Sequence, residues 1–187
     1  MKRNILLTAG LLWALLAQNS LMAQDTKGTG FADVKGINIV NAGIGLGSYG
    51  LFGTGGLPLT ISFEHGFSKY ISAGVNAGFV QRKYVGNEKY TYLIFGARGS
   101  YHFNQVLNLS NPKVDVYGGA GLIYRHYQSK STDRGADQPS FDFKVSDGTI
   151  DFDLHAGGHY LFNDHIGAYA EVGYGIAPLQ LGITLKL

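Results

Sequence analysis

The chain contains no cysteine and only 4 prolines among its 187 residues. Without cysteine there is no disulfide to cross-link the fold and no thiol for catalysis or metal binding. The scarcity of proline leaves long stretches in which a strand runs without interruption. Beyond residue 23 the apolar residues also show no convincing helical period. A sheet, a packed interior or contact with lipid must therefore hold this protein together.

The N-terminal stretch has the pattern of a secretory signal peptide. Lys2 and Arg3 precede an apolar run from Ile5 to Ala17, and a polar break then leads to Ala23. The run is shorter than the roughly 20 residues of a membrane-spanning helix, and a small residue such as Ala23 suits signal peptidase. We therefore expect residues 1–23 to be cleaved and residues 24–187 to form one exported domain.

A surplus of one charge sign is also lacking. The full chain has 15 Lys and Arg residues against 13 Asp and Glu residues. Because Lys2 and Arg3 belong to the predicted signal peptide, the exported part keeps 15 − 2 = 13 basic residues against 13 acidic ones. Such a balance leaves no electrostatic footprint for nucleic acid, so we expect no nucleic-acid partner.

The exported part is instead rich in glycine and aromatic residues, and its apolar residues recur with a period of two. The chain has 28 Gly, 12 Tyr and 11 Phe residues, which is typical of many short strands. Most predicted strands are near the 9–11 residues with which a tilted strand crosses a bilayer. They are residues 37–47, 57–65, 71–82, 90–102, 114–127, 149–160, 166–174 and 179–187. The pattern predicts an all-β fold, an eight-stranded antiparallel up-and-down β-barrel.

The connections between the predicted strands differ in length. The links "GFSKY" and "LFNDH" are short, whereas residues 128–148 form a long polar loop that we assign to the outer side. Residues 103–113, "FNQVLNLSNPK", are long for a periplasmic turn. In the first strand, Ile37 and Ile39 have the opposite parity from Ile44, which predicts a bulge or a start outside the membrane.

Alternation alone does not say which face of the strands points inward. A soluble lipocalin-like barrel has an apolar interior, whereas an outer-membrane barrel has a polar interior and an apolar exterior. Three features favour the second: a polar face rich in glycine, aromatic residues near strand ends on the apolar face, and nearly balanced charges on the polar face. We therefore predict a transmembrane barrel with a charge network in its lumen. Its members are Glu64, Arg82, Arg98, Asp115, Arg125, Asp151, Asp153, Glu171 and Lys186.

Three stretches of the sequence carry a family resemblance. "YLFNDHIGAYAEVGYG", "VDVYGGAGLIYRHY" and the terminal "LGITLKL" resemble the strand patterns of small eight-stranded Gram-negative outer-membrane β-barrel proteins of the OmpA/OmpX-like group. The resemblance implies location in the outer membrane and recognition of the last strand by the barrel-insertion machinery. In that group the last residue is usually aromatic, and Leu187 departs from this. The implied signal consists of Gly182, Ile183, Thr184, Leu185, Lys186 and Leu187.

Chemical motifs are weak. "GLGSYG" matches the glycine pattern of dinucleotide-binding loops, but "LFGTGGLPLT" follows it and cannot form the helix that the motif requires. His155 and His159 lie ~13 Å apart on a strand, too far to share one metal ion. His126, Ser129 and Asp133 have no specific catalytic spacing. We predict no catalytic, cofactor-binding or metal-binding residue.

The sequence therefore favours a non-catalytic role in envelope structure, in adhesion or as a subunit of an outer-membrane assembly. The alternatives are a lipid-modifying enzyme with its site at the outer rim and a soluble lipocalin-like binding barrel. An open pore is not expected, because eight strands leave an interior that side chains fill. Expected partners are outer-membrane lipid, the insertion machinery and an outer-membrane protein that docks on the link 103–113. The loop 128–148 would instead serve adhesion or receptor-like binding.

Overall fold

The computed structural model describes residues 30–47, 54–83, 89–131 and 143–187. Within these ranges the chain forms eight long strands and one strand of two residues. They are β1 (Asn38–Leu46), β2 (Thr54–Gly55), β3 (Leu59–Gly66), β4 (Ile71–Lys83), β5 (Lys89–His102), β6 (Val114–Ser131), β7 (Phe143–Leu161), β8 (Ile166–Tyr174) and β9 (Leu179–Lys186). No helix in the described part of the chain is long and apolar enough to cross a membrane.

The long strands close into an antiparallel barrel in which each strand pairs with its neighbours along the chain. Strand β4 pairs with β5, and β9 pairs with β1, so the sheet has no free edge between its first and last strands. Leu187 extends this closure, since its amide donates to the carbonyl of Asn38 at 2.8 Å and its carbonyl accepts from the amide of Asn38 at 2.9 Å. The predicted eight-stranded up-and-down barrel is confirmed.

Strands β6 and β7 are longer than the sequence predicted. Their ladder continues to the pair Ser131 and Phe143, so both ends of the predicted loop 128–148 belong to strands. Polar residues pair as well as apolar ones once two strands are in register, and for that reason composition alone placed the boundary too early. Residues 132–142 of this loop lie outside the described residues.

The faces of the barrel are sorted opposite to those of a soluble barrel. On β7, Ile150 and Phe152 are 72% and 67% exposed, whereas Asp153 and His155 are 4% and 6% exposed. The other strands repeat this alternation, with apolar side chains outside and polar side chains inside. Exposing these apolar side chains to water is unfavourable, whereas contact with the acyl chains of a membrane is favourable.

The first strand contains no bulge, so the first of the two sequence-based explanations is wrong, and a start outside the membrane stays a prediction. Its pairing with β3 runs without interruption from Asn38 to Ile44. Ile37 and Ile39 share the inward parity and are buried, because the residues before the strand fold into the mouth of the barrel and pack against them. Together they form an apolar cluster of Phe31, Val34, Ile37, Ile39 and Leu161.

The two ends of the barrel are closed in different ways. The terminal end carries residues 30–37 and the links 67–70, 103–113 and 162–165, and the apolar cluster around Phe31 fills it. At the loop end, the turn between β8 and β9 folds inward, so that Ile176 packs on Ile94 and Ile123. A side chain on Gly78 would place its Cβ 2.5 Å from Ile176 Cγ2, so glycine makes room for this plug.

Candidate functional site: the buried polar interior

The centre of the barrel holds an arginine between two carboxylates. Arg98 on β5 donates from Nη1 and Nη2 to the two oxygens of Glu171 on β8, at 3.1 and 2.5 Å. Its Nε lies 3.1 Å from Oε1 of Glu64, which is an ion-pair distance without hydrogen-bond alignment. Tyr117 and Gln180 also donate to Glu171, each at 3.0 Å. This fork geometry suits a buried guanidinium, because it satisfies several donors at once.

A second cluster surrounds Asp115 nearer the terminal end. Nδ1 of His102 lies 2.9 Å from Oδ1 of Asp115, and Nδ1 of His159 lies 2.8 Å from Oδ2. Asn104, in the link after β5, donates to the same carboxylate at 2.9 Å. The other ring nitrogen of His159 lies 3.1 Å from Oδ1 of Asn41. Two neighbouring strands and one link therefore converge on this single buried carboxylate of β6, and a third strand holds His159 through Asn41.

Ser72 joins the two clusters and decides the hydrogen-bonding role of His102. The Ser72 hydroxyl donates to Glu64 at 2.6 Å and lies 3.0 Å from Nε2 of His102. Because its single hydrogen points at Glu64, the hydroxyl offers an oxygen lone pair to Nε2 of His102. The two ring nitrogens of His102 therefore each face an oxygen, one of Ser72 and one of Asp115.

A third group of buried side chains surrounds Asp153 and His155 on β7. Asn76 donates to Asp153 at 3.0 Å, and Nδ1 of His155 lies 3.5 Å from the same oxygen. Nε2 of His155 lies 2.9 Å from the Ser100 hydroxyl. His155 and His159 thus contact two different carboxylates, those of Asp153 and Asp115. Among the described residues no three His, Asp or Glu side chains are grouped so that they could hold a metal ion.

Three predicted members of the charge network, Arg125, Asp151 and Lys186, lie near the ends of the barrel instead of its centre. Arg125 contacts Asp151 at 3.3 Å, with side chains 19% and 26% exposed, and its guanidinium carbon lies 5.6 Å from the centre of the Tyr174 ring. At the opposite end, Lys186 donates to the carbonyl of Gly30 at 3.0 Å and so contacts the segment in the mouth. Water reaches these groups, which makes their pairing weaker than that of Arg98.

The charges of the interior do not pair as the sequence count suggested. Among the described residues, the fully buried acidic side chains are Glu64, Asp115, Asp153 and Glu171. The one fully buried arginine among the described residues is Arg98, whereas Arg82, Arg125 and Lys186 are only partly buried. Histidine, hydroxyl and amide groups therefore supply the partners that the predicted bases do not.

Sequence reasoning missed these neutral and histidine partners. His102, Ser72 and Asn104 did not enter the predicted network, although each is buried and bonded to one of its carboxylates. For His102 and Ser72 a signal was present, because both have the inward parity of their strands. Asn104 follows the end of β5, where alternation no longer reports which side chain points inward.

Glycines on the inward face make room for the large polar side chains. A Cβ on Gly43 or Gly182 would lie 2.7 Å from the ring or hydroxyl of Tyr169. A Cβ on Gly157 would lie 2.8 Å from the hydroxyl of Tyr117. An eight-stranded barrel is just wide enough for its interior to be filled, so large residues on one strand require small ones opposite.

The residues of the implied insertion signal form the closing strand. The outward-facing members Ile183, Leu185 and Leu187 are exposed, and the inward-facing Thr184 is fully buried. The strand pairs with β1 and β8, and the signal residues are Gly182, Ile183, Thr184, Leu185, Lys186 and Leu187. The predicted cleavage at Ala23 and the predicted domain boundary lie outside the described residues.

Of the three residues weighed for catalysis, the structure describes the side chain of one, His126. His126 lies on the outward parity of β6, opposite Leu93 and Gly148 in the sheet. The side chain of Ser129 and the whole of Asp133 lie outside the described part. The end of the "GLGSYG" stretch also lies outside the described part, and its first residues belong to β1 and the bend that follows.

No family model and no curated protein matches the sequence. Among solved structures, Neisserial surface protein A is similar with a TM-score of 0.51 and 15% identity, over 81% of this chain and 96% of that chain. The N-terminal barrel of Pseudomonas aeruginosa OprF has a TM-score of 0.48 and 14% identity, over 82% and 98%. Ail of Yersinia pestis has a TM-score of 0.43 and 14% identity, over 80% and 92%. The chain has the fold of the small eight-stranded outer-membrane β-barrels, as its sequence resemblance implied.

Proposed function

We propose that the protein is a non-catalytic barrel of the outer membrane, exported through its signal peptide, whose role is structural. The observation that carries this proposal is the sorting of its faces, with an apolar exterior around a buried network of charged and polar groups. An exterior of this kind contributes stability only if lipid covers it. The interior contributes rigidity, because each buried carboxylate contacts at least two side chains, at least one of them from another strand.

Aromatic residues at the terminal end support a membrane boundary there. Each of the three described links at that end begins with a phenylalanine that follows directly on a strand, namely Phe67, Phe103 and Phe162. All three are exposed and continue the outward parity of their strands. Such rings favour the interface between acyl chains and headgroups. We assign this end to the periplasmic side, because its links 67–70 and 162–165 are short.

The last strand supports a role for the insertion machinery during biogenesis. Ile183, Leu185 and Leu187 form an apolar outward row on β9, while β9 closes the barrel against β1. A strand that completes the sheet exposes both its backbone edge and this row until closure occurs. We propose that these features are what the machinery binds. Adhesion and membership of a larger assembly are the alternatives for the mature protein.

Membrane insertion is tested on the folded protein and on variants at one exterior position. The protein should fractionate with outer membranes and migrate differently on a gel when it is not boiled. Leu154, which is exposed near the middle of the outward row of β7, should not tolerate lysine. Leu154→Lys should lose about 2–4 kcal/mol of unfolding free energy in lipid, whereas Leu154→Met should behave as the parent. A water-soluble product without a heat-dependent shift, or a harmless lysine, would refute the proposal.

A further inference from the structure

The link 103–113 forms a hydrogen-bonded turn with one apolar face. The amide of Leu107 donates to the carbonyl of Phe103 at 2.8 Å, and the amide of Leu109 donates to the carbonyl of Asn104 at 2.9 Å. Asn108 has a φ of 51°, which ends the turn. Residues three and four apart in such a turn share a face, so Val106 and Leu107 lie on the side of Phe103. Val106 and Leu107 are 62% and 53% exposed.

The polar side of this turn is tied to the barrel and fixes its orientation. Asn104 is buried and donates to the carbonyl of Phe31 at 2.8 Å, while its side-chain oxygen accepts from the amide of Val116 at 2.9 Å. Gln105 donates to the carbonyl of Ala32 at 3.2 Å and accepts from the Tyr70 hydroxyl at 2.8 Å. The apolar side therefore cannot rotate into the mouth, which the Phe31 cluster already fills.

The apolar side of the turn continues the apolar exterior of the barrel. The ring of Phe103 lies 5.0 Å from the ring of Tyr101, which stacks at 6.0 Å on Tyr70. The link carries no charged residue from Phe103 to Pro112, and Lys113 follows where the chain enters β6. The apolar side of the turn carries no charge and lies beside the lipid-facing belt. It can therefore enter the headgroup region without the cost of desolvating a charge.

We propose that Val106 and Leu107 insert into the periplasmic leaflet, so that the link acts as a lipid anchor on one side of the barrel. This inference rests on the proposed membrane location. It commits to lipid instead of a protein partner for two reasons. The surface is continuous with the belt that contacts acyl chains, and these few side chains fall far short of the roughly 800 Å² per partner of a stable protein interface. The other described links at this end, "FSKY" and "FNDH", have polar residues directly after their phenylalanine, so neither has an apolar pair like Val106 and Leu107.

Tryptophan fluorescence tests the anchor without a background signal. The single tryptophan of the chain, Trp13, lies in the predicted signal peptide, so the mature protein has none. Leu107→Trp, Ser110→Trp and Val75→Trp place one tryptophan at the anchor, in the exposed polar part of the same link and on the belt. Each purified variant is reconstituted into phosphatidylcholine vesicles that contain lipids brominated either near the headgroup or deep in the acyl chains. Aqueous acrylamide serves as the opposing quencher.

The anchor predicts that Leu107→Trp is quenched several-fold more by shallow bromines than Ser110→Trp, which acrylamide should quench instead. Val75→Trp should be quenched by deep bromines. If Leu107→Trp responds only to acrylamide while Val75→Trp responds to bromines, the anchor is wrong and the barrel assignment stands. If Leu107→Trp responds to neither quencher, a second copy of the chain covers the site, which also overturns the anchor. If Val75→Trp also responds only to acrylamide, the proposed membrane location itself fails.

Discussion

Arg98 is the residue on which most of the interior depends. It bridges β3 and β8 through Glu64 and Glu171, and the three side chains are almost completely shielded from water. Removing one partner of such a group leaves unpaired charge in a medium that solvates it poorly, and that loss exceeds the net gain of forming the pair. The contribution of Arg98 is therefore best measured by substituting it and comparing the loss of stability with that of the same substitution at a partly exposed arginine.

Arg98→Met should lower the free energy of unfolding by about 3–5 kcal/mol, because two buried carboxylates lose their shared cation. Arg125→Met is the matched control, since Arg125 and its partner Asp151 are partly exposed. This control should cost about 1 kcal/mol or less. Urea-induced unfolding in detergent, followed by loss of the unboiled gel position, measures both. Equal costs for the two variants would contradict a central role for Arg98.

We predict hydrogen on both ring nitrogens of His102 in the folded protein, because each of them faces an oxygen that is placed to accept. Nitrogen chemical shifts of ¹⁵N-labelled histidine in the folded protein measure this directly. His126, on the outward parity of β6, serves as the reference ring, and His102→Gln assigns the signal. A shift typical of one unprotonated nitrogen in His102 would show that Ser72 donates to the ring instead of to Glu64.

Small residues on one strand of this barrel leave room for large side chains from other elements. Alternation along β4 places Gly78 on the inward face, and that position receives Ile176 from the turn between β8 and β9. The periodicity of β4 predicts an inward glycine but not what packs on it, since Ile176 lies outside any strand. The fit between a strand and a turn almost a hundred residues away is a property of the closed barrel.

Gly78→Ala should destabilise the barrel by about 1–3 kcal/mol, because the new methyl group overlaps Ile176 at 2.5 Å. Gly99→Ala on β5 is the control, where the nearest atom to a new Cβ is the Ser72 carbonyl oxygen at 3.7 Å. The control should be neutral or stabilising by about 0.5–1 kcal/mol. Thermal loss of the unboiled gel form compares the two. A control as costly as Gly78→Ala would mean that the glycine backbone, not the packing of Ile176, matters.

The molecule as a whole is a closed wall around a continuous polar filling. Apolar residues plug both ends, around Phe31 at the terminal end and around Ile176 at the loop end. Between the plugs, hydrogen bonds connect Asp115 through His102 and Ser72 to Glu64, and Glu64 forms an ion pair with Arg98. Such a filling resists local opening, because moving any one member leaves several buried groups without partners.

The filled lumen predicts negligible ion conductance in planar bilayers. Arg98→Met should raise the conductance little, because the plugs around Phe31 and Ile176 stay in place. A large-pore porin in the same chamber is the positive control. Stable channels of large unitary conductance from the parent protein would contradict the closed interior, whereas brief leaks from a destabilised variant would match partial unfolding.

The sequence alone determined the number of strands, their antiparallel order and the inside-out sorting of their faces. These follow from a period of two, which is a local property of the backbone and is readable wherever a strand has two different faces. The same parity placed Arg98, Asp115 and Glu171 on the inward face. It failed where the chain leaves the strand, as it did for Asn104 and for the segment around Phe31.

Only the tertiary structure decided which buried groups meet. Arg98 and Glu171 are 73 residues apart, and their meeting depends on the stagger of eight strands around the barrel. The same stagger brings His102 and His159 to one carboxylate and leaves Arg125 near the rim. Alternation specifies the face of a residue but not its height in the closed barrel. The position of a residue along the barrel axis is fixed when the sheet closes. This position determines which acidic and basic side chains come within contact distance.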